Sequence, residues 1–98
     1  MTSAKAKEVL DRYKKFFEDR GIAKHPMDHD CLCPSPLAAL EHCHNMIGEM
    51  EKMIGKEEDK EKFARWLGWM QGVLCVCKMY TLKDERDHNR SEARNKNP

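Results

Sequence analysis

The densest set of metal-ligating side chains lies in the connector that holds Pro26 and Pro34, ahead of a helical pattern: His25, His29, Cys31 and Cys33. Two imidazoles and two thiols suit zinc. The spacing differs from the usual finger, which wants Cys-x2-4-Cys and a second pair far along the chain. Pro26 also keeps His25 and His29 off one regular helical face. The cluster is a candidate zinc site in a connector, and a polar loop with free thiols is its plain alternative. The remaining candidates fail on helical geometry. His42 and His44 are two apart and diverge by about 200° on a helix, as do Cys75 and Cys77. Cys43 and Cys77 fall on apolar stripes and read as small buried hydrophobes. His42 and His44 are expected on the wet side of their helix.

Paired carboxylates are the second candidate chemistry. Glu58-x-x-Glu61 and Asp84-x-x-Asp87 match in pattern the acidic pairs that hold Mg²⁺ in all-helical nucleotide pyrophosphohydrolases. An apolar helix about 33 Å long separates the two pairs here. Lys60, Lys62, Lys83 and Arg86 interleave with them, as on a solvated helical face. A Mg²⁺-dependent nucleotide-handling enzyme is thus a third-ranked reading, after a binding protein and a zinc module. No nucleophile elbow, phosphate-binding loop or dinucleotide fingerprint occurs in the sequence. Lys14 and Lys15 beside Tyr13 and Phe16 form the one basic-aromatic cluster, and Glu18 and Asp19 offset it. Nucleic acid is therefore not an expected partner.

These residues need elements to position them, and the sequence supplies helices. It has 98 residues, 40% hydrophobic and 36% charged, which suits one domain with one modest core. The formal charge of +1 selects neither nucleic acid nor an acidic membrane surface. Five cysteines cannot all pair internally, and no export signal is seen, so reduced thiols and a cytoplasmic location are expected. The apolar stretch 63–80 is broken by Arg65, Gln71 and Lys78, so no membrane span is expected. Alternating strand patterns and hairpin dipeptides are nearly absent.

Val9, Leu10, Tyr13, Phe16 and Phe17 recur at helical spacing and predict a first helix over about 3–20, capped by Ser3 and stopped by Gly21. Ser35-Pro36 opens a second, over 35–54, with Leu40, Cys43, Ile47, Met50 and Ile54 on one stripe. A turn after Gly55 makes helices two and three an antiparallel hairpin. The third helix is expected over 58–80. A Thr81-x-x-Asp84 capping box then starts a short fourth, over 82–89, in which only Leu82 is strongly apolar. The expected fold is all-α, a small three-helix bundle with a short C-terminal helix. Residues 1–90 form one domain, and 91–98 are expected to be a frayed tail.

The third helix is the one the rest must serve. Phe63, Trp66, Leu67, Trp69, Met70, Val73, Leu74, Cys77 and Tyr80 fill an arc of roughly 160°. Behind it, Ala64, Gly68 and Gly72 make a strip of small residues with Cys75 beside them. One chain of this size offers too little to cover both arc and strip. A homo-oligomer is therefore expected, with Ala64, Trp66, Gly68, Trp69, Gln71, Gly72 and Val73 as interface residues.

Along Ser35-Pro36-Leu37, Arg65-Trp66-Leu67-Gly68-Trp69-Met70-Gln71-Gly72-Val73-Leu74, Tyr80-Thr81-Leu82 and His88-Asn89-Arg90, the sequence resembles small phage-encoded proteins with no assigned activity. The similarity spans roughly residues 35–90 and omits the first helix and the His/Cys loop. It implies a viral accessory protein in the host cytoplasm, acting on a host protein, and it transfers no catalytic residue. Gln71 is the polar side chain that this pattern sets among apolar neighbours. It is expected to hydrogen-bond across a helix interface.

Overall fold

The computed structural model describes residues 1–90, and the tail 91–98 lies outside them. The described chain is all-helical. α1 spans Ser3–Asp19, α2 Pro36–Met53, α3 Lys60–Val76 and α4 Leu82–Asn89, with a 3-10 turn at Glu57–Asp59 leading into α3. α2 lies against both α1 and α3, and α4 lies against α1. Among the described residues, no helix is long and apolar enough to cross a membrane.

Local signals explain where the helices begin. Thr2, one residue before the expected Ser3, caps α1 by accepting from the Lys5 N–H at 3.0 Å. Ser35 caps α2 through the Ala38 N–H at 3.1 Å, with Pro36 at the first helical position. Thr81 and Asp84 form the expected capping box on α4, both bonds being 3.0 Å.

The ends are set by left-handed residues. Gly21, at φ +66°, lets the Ile22 N–H turn back to the Phe17 carbonyl, and Ile22 packs on the core. α3 stops at Val76, four residues before the expected end, because Lys78 takes φ +63°. The Met79 N–H then bonds the Leu74 carbonyl and the Lys78 N–H the Cys75 carbonyl. This is the same closing motif as at Gly21, made here by a lysine.

The core joins Val9, Leu10, Tyr13, Phe16 and Phe17 of α1 to Leu40, Cys43, Met46, Ile47 and Met50 of α2. α3 adds Leu67, Met70 and Leu74. The buried face of α3 is narrower than the expected arc. Phe63, Trp66, Val73, Cys77 and Tyr80 are half-buried, and Trp69 is 42% exposed. α4 turns its one strongly apolar side chain away from the core. Leu82 is 69% exposed, whereas Glu85 and His88 are buried against α1.

Candidate functional site

Three helices meet in a buried cluster of polar side chains. Gln71 of α3 donates one amide hydrogen to the Tyr13 hydroxyl of α1 at 2.9 Å and the other to Asn89 Oδ1 of α4 at 2.8 Å. Asn89 Nδ2 returns a bond to Gln71 Oε1 at 3.0 Å, so the two amides are paired face to face. Since the Tyr13 oxygen already accepts from Gln71, its O–H is free to donate to His88 Nδ1, 2.8 Å away. That arrangement puts the His88 proton on Nε2. Tyr80 closes the cluster edge-on to His88, with ring centroids 4.7 Å apart, and also rests against Tyr13 and Phe16.

Burial governs the electrostatics here. It pushes the Tyr13 hydroxyl up to about 12, helped by Glu85 and opposed by the Gln71 hydrogen bond. Glu85 is raised to about 7, by burial first and by neighbouring Asp84 second. Burial, then Arg12, holds His88 below its ordinary value. Tyr13 is fully enclosed at 0% exposure, so no substrate atom reaches its oxygen. What this cluster can do is fasten α1, α3 and α4 to one another, because each lost partner leaves a buried polar atom unpaired.

The expected interface residues fall into four groups around α3. Gln71 hydrogen-bonds across a helix interface, as expected, and the interface lies between helices of one chain: its amide is buried and consumed by Tyr13 and Asn89. Ala64 and Gly68, with Phe63 and Leu67, floor a groove of about 770 Å³. Ser3 and Ala6 form one wall, Met53 to Glu57 another, and Gln71 and Asn89 the far end. Trp69, Gly72 and Val73 line a second groove of about 620 Å³ between the outer face of α3 and Cys33 to Pro36 at the start of α2. Val76, also in that lining, is 82% exposed. Trp66 joins neither groove; it is half-buried with Lys62 over its ring at 5.2 Å. Nothing lies within 4 Å of where a Cβ would sit on Gly68 or Gly72, so the strip is open along this chain.

The His/Cys loop takes another role. Among the described residues, no group of three or more His, Cys, Asp and Glu is placed to hold a metal ion. His25, His29, Cys31 and Cys33 are all exposed. The Cys33 thiol instead donates to the Ser35 carbonyl at 3.2 Å. The loop is fastened to α2 by the two histidines that were expected on its wet side. His44 is 4% exposed, stacks on Phe17 at 5.2 Å and donates from Nδ1 to the Ile22 carbonyl at 2.7 Å. His42 accepts the Met27 N–H on Nδ1 at 2.9 Å, and His29 and Trp69 each meet its ring edge to face. Burial, then His29, lowers the His42 imidazole.

The acidic pairs are also used locally. Glu58 and Glu61 are exposed, and Asp84 serves the α4 cap. Asp87 pairs with Lys83 at 3.3 Å and with Arg90 at 3.6 Å.

Tyr13, Glu85, His88 and Asn89 were not foreseen as a site. Tyr13 read as one more core aromatic, and in α4 only Leu82 read as strongly apolar. The i,i+3 spacing of Glu85 and His88 was the available signal, since it sets both on one face of α4. Gln71, Tyr80, His88 and Asn89, which lie far apart in the sequence, converge in this cluster. No protein-family model matches the chain, and no curated protein or solved structure does so either.

Proposed function

We propose that this chain is a non-enzymatic protein-binding factor that works as a homo-oligomer, joined through the outer face of α3. The observation that carries the reading is the bare groove at Trp69. Trp69 and Val76 stand exposed beside Gly72, next to the Pro34–Pro36 corner. An apolar surface edged by a glycine accepts a second helix at short range, and a tryptophan supplies the kind of anchor that dominates interface energies. A formal charge of +1 on 98 residues leaves little repulsion between copies. A second copy laying its own α3 there would bury the same patch twice, as a two-fold contact does.

The polar cluster supports the reading from the other side. It commits one face of α3 to α1 and α4, which keeps the opposite face rigid and presentable. The resemblance to phage-encoded proteins adds a host protein as the eventual target, met by the assembled oligomer. Sedimentation velocity tests the assembly. The wild type should run as an oligomer at tens of micromolar, and Trp69→Asp should run as a monomer with unchanged helical circular dichroism. A wild type that stays monomeric up to millimolar concentration would refute it.

A further inference from the structure

α4 is held by an acid that would rather be in water. Glu85 is 5% exposed, and its Oε2 is buried with no hydrogen-bond partner among the described residues. The helix has only eight residues, its strongly apolar side chain Leu82 points outward, and its capping box is exposed. Its attachment therefore rests on Glu85 and His88 against α1 and on the Asn89–Gln71 amide pair against α3.

We propose that α4 is a latch on α1 which is released when Glu85 ionises, and that release uncovers Tyr13 and Gln71 at the end of the Phe63–Leu67 groove. A carboxylic acid tolerates this site as a neutral group; its anion is left buried with Oε2 unpaired. The groups that act on Glu85 and its surroundings do not relieve it. Asp84 on α4 has the same sign, and Tyr13 on α1 is neutral. Around His88 stand Lys5, Arg12 and Tyr13 from α1, Asp84 and Asp87 from α4, and Tyr80 from the connection.

The two titrations have opposite signs. Docked Glu85 keeps its proton up to about 7, well above its ordinary value of 4.5, so docking is strongest when the acid is neutral and weakens as pH rises through that window. Docked His88 sits below its ordinary 6.5, so docking weakens as pH falls below 6.5. Below 6.5 the two oppose each other, and around neutrality Glu85 decides. Opening the latch frees the Tyr13 hydroxyl and the Gln71 amide from their partners on α4.

Hydrogen exchange of the α4 amides, corrected for intrinsic rates, reads the latch directly. Wild-type protection should fall several-fold between pH 6 and pH 8. In Glu85→Gln the trend should invert, with protection rising over the same interval because His88 alone remains. Glu58→Gln, at an exposed site, should behave as wild type. Unchanged or rising protection in the wild type, or a fall in Glu85→Gln equal to the wild type's, would overturn the proposal. Should Glu85→Gln not fold, carbon-13 titration of the wild-type Glu85 carboxyl decides: a midpoint near 7 supports the latch and one near 4.5 overturns it.

Discussion

The Tyr13 hydroxyl and His88 Nδ1 lie 2.8 Å apart, joining the first helix to the last across 75 positions of sequence. Tyr13→Phe keeps the ring and removes the oxygen. It leaves one Gln71 hydrogen and His88 Nδ1 unpaired in a closed site. The expected cost is about 1–3 kcal/mol. Urea denaturation should show a lower midpoint with an unchanged slope. No change in midpoint would mean that water replaces the hydroxyl without loss.

Gln71 and Asn89 should behave as one unit. The two exchange a pair of amide bonds, so either alanine variant strands the other amide and breaks the same two bonds. In a double-mutant cycle the pair should show a coupling of about 1 kcal/mol, with the second substitution costing less than the first. Simple additivity would count against the paired geometry.

How legible this was in the sequence depended on the kind of signal. Stripes such as Val9–Phe17 and Leu40–Met50 dictated which faces are buried, because period alone decides that. Ser35-Pro36 and Thr81-x-x-Asp84 marked their helix starts because capping is chemistry between near neighbours. The site was harder to see. His44, Gln71 and His88 are polar residues whose burial depends on partners 18 to 75 positions away, and no local pattern records such a partner. The early end of α3 was hidden for another reason: a lysine occupies the left-handed position where glycine is the usual sign.

That lysine gives a prediction of its own. Lys78 holds φ +63°, where a Cβ is crowded. Lys78→Gly should raise stability by about 0.5–1 kcal/mol despite the added freedom of the unfolded chain. Thermal unfolding would show it as a rise of a few degrees. A loss instead would mean that the lysine side chain makes a compensating contact.

Thiol reactivity should sort the cysteines by position. Cys43 is 0% exposed and its thiol is pushed up to about 12 by burial and by nearby Cys77. Cys31 and Cys33 are exposed. At pH 8 an alkylating reagent should label Cys31 and Cys33 first and reach Cys43 only through unfolding, as peptide mapping by mass spectrometry would reveal. Equal labelling of Cys43 and Cys33 would mean that the seam between α1, α2 and α3 opens freely.

The outer face of α3 is the proposed meeting surface between copies, and one measurement addresses it most directly. In a mixture of carbon-13-labelled and unlabelled protein, isotope-filtered NOE spectra record only contacts between chains. Contacts from the Val76 methyls and the Trp69 indole to a neighbouring chain are the predicted result. Their absence at millimolar concentration, while contacts within the chain are seen, would contradict it.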